Sequence, residues 1–299
     1  MQNEIERFYV YIASVERYSE NTKQSYQNDI DGFAFFISAT YQITSIHEIT
    51  HFHIRSWIVS LMDNHHSSRT VHRKISALNT FFRYLRRFEG LKADPMKKIV
   101  RPKSQKKLPV SIPKEDLLIG SGTTEPDSYR SVMEDLIVTL LYSAGLRRAE
   151  LIGLAEQDID RNRMLLKIRG KGKKERLVPL GKELLIKIDD FIRLKYLTVK
   201  DITSDQVFLT ESGKPVYPKM VYNIVNRYLK NVPNLERKSP HILRHSFATH
   251  LSDAGADINA VKMLLGHSSL AATQVYMHNA PNRLKAIYTR AHPRSENDD

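Results

Sequence analysis

Apolar residues recur every three or four positions in four stretches near the start of the chain. They are Ile5, Phe8, Ile12 and Val15; Tyr26, Ile30, Phe33 and Ile37; Ile54, Trp57, Ile58 and Leu61; and Val71, Ile75, Leu78, Phe82 and Leu85. That period puts each set on one face of an α-helix. Four helices with one apolar stripe each bury them most simply as a four-helix cluster. The pattern breaks at Gly90 and Asp94-Pro95, and the stretch from Lys97 to Lys107 is basic, with a proline and no acid. These features predict a first domain over 1–96, a basic linker over 97–109 and a second domain over 110–299.

In the second domain helical patterns occupy Lys114 to Leu118 and Ser131 to Tyr142, the latter ending in Ala144-Gly145, with another around Arg148 to Leu154. The period then changes. Met164 to Arg169 and Arg176 to Leu180 read as strands joined by the hairpin Gly170-Lys171-Gly172-Lys173-Lys174-Glu175, and Val207-Phe208-Leu209 reads as a third strand. Helical patterns resume over Gly181 to Tyr196, Pro218 to Asn231, Pro240 to Ala254, Ile258 to Leu265 and Leu270 to His278. Ser239 and Pro240 suit a helix start and Gly266 a helix end. The expected fold is mainly α with a small β-hairpin or sheet element.

Charge points to a partner. Lys and Arg number 46 against 33 Asp and Glu, a formal charge of +13, which attracts a polyanion at long range and through counterion release. A nucleic-acid partner is the leading expectation. The fourth predicted helix concentrates Arg69, Arg73, Lys74, Arg83, Arg86 and Arg87 away from its apolar stripe, so phosphate contacts are expected there, although a solvated face explains any one of them. The absence of cysteine excludes disulfides and thiol chemistry and is compatible with the reducing cytosol. The polar start lacks an export signal and no apolar run is long enough to span a bilayer, so the chain is expected to be cytoplasmic, with no membrane partner.

Candidate chemistry is densest near the C-terminus. Cleaving a phosphodiester through a side chain requires a nucleophile, donors for the non-bridging oxygens and an acid for the leaving oxygen. Tyr276 is the candidate nucleophile, although a packed aromatic is the ordinary explanation for a tyrosine between Val275 and Met277. Ionising a phenol at neutral pH costs roughly 4 kcal/mol, which a nearby cation or base offsets. His241 and Arg244, three apart on a predicted helix, share a face and can meet one phosphate. Arg147 follows a glycine where a helix ends, and Lys171 lies between two glycines at the hairpin tip, placed to enter a groove and protonate a leaving oxygen. His245, His250, His267 and His278 raise the question of a metal. The His-Glu-x-x-His order and thiolates are both absent, so no metal or other cofactor is expected.

Together Gly145-Leu146-Arg147 with Glu150-Leu151, Gly170-Lys171-Gly172-Lys173-Lys174-Glu175-Arg176, His241-Ile242-Leu243-Arg244-His245 with Phe247-Ala248-Thr249-His250, Leu264-Leu265-Gly266-His267-Ser268 and Tyr276 resemble the tyrosine recombinases, in detail the XerC/XerD branch. Thr22 with Tyr26, and Lys74 to Leu78 through Tyr84-Leu85, resemble that family's helical, SAM-like core-binding domain, so the resemblance covers nearly the whole chain. Arg283-Leu284-Lys285 and Ala291-His292-Pro293-Arg294 lean toward the XerC side. The resemblance implies that Tyr276 attacks a DNA phosphate to give a 3′-phosphotyrosyl link and a free 5′-hydroxyl. It implies that Arg147 and Arg244 hold the non-bridging oxygens, His267 adds a donor, Lys171 is the general acid and His241 assists proton transfer. The ester stores the bond energy, so religation needs neither ATP nor a metal.

It further implies a DNA-bound tetramer, homomeric or with a paralogous recombinase, that exchanges strands through a Holliday junction. Arg283 to Ala291 is the expected element passed to a neighbouring protomer. A DNA translocase as regulator and a role in chromosome-dimer resolution at cell division also follow from the resemblance. The chain departs from the family pattern in two ways: Met277 replaces a small hydroxyl residue, and Ala271-Ala272 a hydroxyl-rich pair. Both bear on how Tyr276 is presented. The rival readings are a mobile-element integrase with the same chemistry, a type IB topoisomerase and a non-catalytic DNA-binding protein.

Overall fold

The computed structural model describes residues 1–15, 18–103, 111–119, 128–170, 175–233, 235 and 238–266. The chain divides into two compact units, Met1–Lys107 and Leu108–Asp299. In the first unit α1 (Gln2–Ser14), α2 (Glu20–Tyr41), α3 (His51–Asp63) and α4 (Ser68–Phe88) form around the four stripes. Ile5, Phe8, Ile12, Ile30, Phe33, Ile37, Ile54, Trp57, Val71, Ile75, Leu78, Phe82 and Leu85 are all buried in one core. Ser67 caps α4 by accepting the Thr70 N–H at 3.2 Å.

The basic face of α4 is less free than its sequence implied. Asp29 of α2 is almost completely buried and draws in both Arg73 and Lys74, the latter at 3.0 Å, while Arg86 pairs with Asp94 at 2.6 Å. A buried carboxylate is costly unless paired, so Arg73 and Lys74 hold α4 against α2. Arg69, Arg83 and Arg87 remain exposed. The start of the basic segment is also docked rather than free, because His72 Nε2 donates to the Pro102 carbonyl at 2.6 Å.

The second unit is built on α5 (Lys114–Ile119), α6 (Tyr129–Ser143), α7 (Arg148–Ile152), α8 (Lys182–Thr198), α9 (Pro218–Tyr228), α10 (Pro240–Asp253) and α11 (Ile258–Leu264). Its three-stranded antiparallel sheet runs β1-β2-β3, with β1 Ile159–Asp160, β2 Leu165–Arg169 and β3 Glu175–Pro179. Leu165 faces Pro179 and Arg169 faces Glu175, so β2 and β3 form the predicted hairpin.

The third strand is not where the sequence put it. Val207, Phe208 and Leu209 are buried, and their neighbourhood makes only isolated bridges, Ala155 to Gln206 and Leu209 to Pro215. The Val207 N–H is taken up by the Leu154 carbonyl at 2.8 Å. A wholly apolar run signals burial without specifying a ladder partner. The true edge strand, Ile159–Asp160, is too short to show alternation. The predicted helix at Leu270 to His278 and the element at Arg283 to Ala291 lie outside the described residues.

Helix α10 is tied to the segment that follows the linker. Ile112 is fully buried, and its N–H donates to Ser246 Oγ at 2.8 Å. Four residues further along α10, buried His250 places Nδ1 2.9 Å from the Tyr142 hydroxyl on α6, and burial lowers its pKa. We expect Ser246→Ala to destabilise this unit by about 1–3 kcal/mol, since it strands a buried N–H. The readout is a lower urea midpoint at unchanged slope by circular dichroism.

Candidate active site

The described part of the site is assembled where two helices end. Helix α6 finishes at Ala144, and Gly145 follows at φ +58°, the left-handed conformation that a glycine reaches at little cost. A Cβ on Gly145 would stand 2.5 Å from a ring carbon of Phe247, so this turn also requires the missing side chain. Helix α11 ends in the same way, at Leu265 with Gly266 at φ +67°.

Both turns aim carbonyls at one side chain. Arg244 of α10 is buried, and its guanidinium donates to the Gly145 carbonyl at 2.5 Å and to that of Leu265. Unsatisfied carbonyls at helix C-termini carry partial negative charge, which makes the junction a natural seat for a cation.

The chain then turns into α7 with Arg147 at its N-cap position. Glu150, one turn later, accepts the Arg147 backbone N–H at 2.8 Å on Oε2 and Arg147 Nη1 at 2.7 Å on Oε1. Arg176 of β3 reaches the same carboxylate with both terminal nitrogens, each at 2.8 Å, and Arg244 Nη1 lies 3.7 Å away. Three guanidiniums therefore surround one buried carboxylate.

Their charges adjust accordingly. Burial pushes the Glu150 carboxyl up, but Arg176 and then Arg147 outweigh it and hold the pKa at about 2. Burial, followed by repulsion from Arg147 and Arg176, lowers Arg244 to about 10 against the opposing pull of Glu150. Glu150 and Arg244 are thus both charged at neutral pH. Among the described residues of the cluster two positive charges remain in excess, and the Arg147 side chain is 37% exposed against 8% for Arg176. Such a site is built to accept an anion at Arg147.

Of the residues singled out from the sequence, Arg147 and Arg244 are brought together around Glu150. His241 occupies the first turn of the same helix as Arg244, yet it is exposed where Arg244 is buried. Lys171, His267 and Tyr276 lie outside the described residues; Lys171 follows Gly170 at the end of β2, and His267 follows Gly266. The sequence reading gave no role to Glu150 or Arg176. The signal available was a carboxylate three positions after Arg147 at a helix start, the spacing of a reciprocal cap.

Known proteins carry the same organisation. The phage integrase family matches residues 121–283, and the phage integrase N-terminal SAM-like domain matches residues 5–89. A tyrosine recombinase XerC of Natranaerobius thermophilus is 33% identical over 302 residues, covering 99% of this chain and 100% of the relative. This chain belongs to the tyrosine recombinase family. A XerC of Alcanivorax borkumensis is 35% identical over 98% of this recombinase and 94% of the relative. Among solved structures, the XerH site-specific recombinase in a post-cleavage complex with palindromic difH substrate has a TM-score of 0.70 at 23% identity, covering 89% of this chain and 79% of that one. The Tn1549 transposon integrase in complex with circular intermediate DNA has a TM-score of 0.69 at 18% identity, covering 95% and 97%. At those identities the likeness is one of fold.

We expect Gly145→Ala to destabilise this recombinase by more than the about 1–2 kcal/mol of a left-handed alanine, because Phe247 must also move. Gly255→Ala supplies the comparison: it has φ +83° with open space around the added methyl, so the difference between the two thermal melts isolates the clash.

Proposed function

We propose that this enzyme performs site-specific DNA strand exchange of the XerC type, resolving chromosome dimers in the cytoplasm. The observation that carries the reading is the excess positive charge around Glu150, with Arg147 partly exposed beside Gly266. A phosphodiester entering there replaces repulsion among the guanidiniums with charge-assisted hydrogen bonds.

In this reading Arg147 and Arg244 take the non-bridging oxygens of double-stranded DNA. Arg244 is already oriented by two carbonyls, so it brings a fixed charge that need not reorganise as the transition state forms. Tyr276 attacks phosphorus and displaces the 5′-oxygen, giving a 3′-phosphotyrosyl ester; Lys171 delivers the proton to the leaving oxygen, His267 adds a donor and His241 assists proton transfer. Reversal by a 5′-hydroxyl of another strand religates the DNA. The first domain, 1–96, grips the duplex through Arg69, Arg83 and Arg87, and the second, 110–299, carries the chemistry. The working form is a tetramer on DNA, with itself or a paralogous recombinase, under a translocase regulator. The whole-length likeness to proteins named XerC supports this role above that of a mobile-element integrase.

Two variants test the chemistry on a nicked candidate site resolved on a denaturing gel. Tyr276→Phe should bind DNA as the parent does and form no covalent adduct, because only a hydroxyl is removed. A normal adduct yield would assign the nucleophile to another residue. Lys171→Ala should cleave an ordinary phosphodiester very slowly and recover on a substrate with sulfur at the scissile 5′ position, since a thiolate leaves without a proton. Arg147→Ala should not recover to the same degree. Equal recovery of the two variants, or recovery of neither, would remove Lys171 from the role of acid.

A further inference from the structure

We propose that Arg176 is a positioning residue for strand cleavage: it fixes the Glu150 carboxylate in the orientation that aims Arg147 at the scissile phosphate. The proposal rests on the recombinase reading above and extends it to a residue with no contact to the reacting atoms.

The arrangement separates Arg176 from the phosphate-binding arginines. Both of its terminal nitrogens are engaged by the two oxygens of Glu150, and its side chain is 8% exposed. Arg147 gives Glu150 only one of its terminal nitrogens and stays open to solvent. Arg176 is therefore turned inward, and Arg147 is the group of the pair that can meet a ligand.

Arg147 needs that support. It precedes a helix of five residues, too short to hold its own first turn, and its side chain is anchored through Glu150. The terminal torsion of a glutamate is soft, so one hydrogen bond leaves the carboxylate free to swing. A bidentate guanidinium removes that freedom, and here it stands on a strand: Arg176 faces Ile168 in the β2-β3 ladder. Gly266 closes the third side, since a Cβ there would stand 3.3 Å from Arg176 Cδ and 3.5 Å from its Nη1. Arg176 thus joins three parts of the site: the strand after the Lys171 hairpin, the Arg147 carboxylate and the turn before His267.

Among the described residues, the charged groups facing Glu150 are Arg147 from its own helix, Arg176 from β3 and Arg244 from α10. Arg176 leads the effects that oppose the burial of Glu150. Without it the carboxyl rises and accepts a proton as pH falls, which releases Arg147.

The test compares the full-length parent with Arg176→Lys and Arg176→Gln for DNA affinity, single-turnover cleavage of the nicked site between pH 5 and 8, and thermal stability. A lysine keeps the charge but not the two-pronged contact, so it serves if Arg176→Gln does not fold. We expect both variants to bind DNA within about threefold of the parent and to cleave about 100-fold more slowly, the scale of a misplacement near 1 Å. Their rates should fall toward acid pH more steeply than the parent's, and 5′-sulfur should not restore them, because Lys171 is intact. DNA affinity lost together with a shallower salt dependence would make Arg176 a phosphate contact and overturn the proposal. So would a pH profile parallel to the parent's, the mark of a residue that only stabilises the fold. A parent that forms no adduct would instead remove the strand-cleavage reading itself, and the positioning role with it.

Discussion

Glu150 sets the electrostatic balance of the second unit. Arginines from a helix start, a strand and a long helix converge there, and without a carboxylate between them their like charges would hold the elements apart. Removing the carboxylate would strand nearly buried charge, typically a loss of about 3–5 kcal/mol for a broken buried pair. The same arrangement leaves the site short of negative charge, the shortage that a phosphate would fill in the proposed function. Folding and substrate recognition therefore draw on one local imbalance.

The surrounding architecture keeps that imbalance from relaxing. Arg244 cannot swing to solvent because carbonyls at the ends of α6 and α11 hold it. Those carbonyls are available because Gly145 and Gly266 turn the chain through left-handed backbone that other residues adopt only with strain. Glycine position, helix termination and placement of a buried cation are thus successive links in one causal sequence. In the proposed mechanism a cation held this way is organised before the substrate arrives, which is where electrostatic catalysis gains most.

Much of this was legible in the chain. The four apolar stripes of the first unit and the β2-β3 hairpin are periodic signals carried by the residues themselves, and the clustering of Arg147 with Arg244 was implied by the family resemblance that the ordered motifs carry. What the sequence did not disclose depends on partners distant along the chain. Asp29 claims Arg73 and Lys74 from more than forty positions away, so their charge read as free. Arg176 pairs with Glu150 across 26 positions, and nothing local distinguishes it from the basic residues of the adjoining hairpin. Val207 to Leu209 failed for another reason: complete burial erases the alternation from which a ladder partner is inferred.

The hydrogen bond from Ile112 to Ser246 bears on how the protein can be dissected. A fragment beginning after Ile112 would lose an apolar side chain from the core and leave the Ser246 hydroxyl without that donor, on the helix that carries Arg244. The shortest autonomous catalytic fragment must therefore begin upstream of Ile112, within the first residues of the second unit.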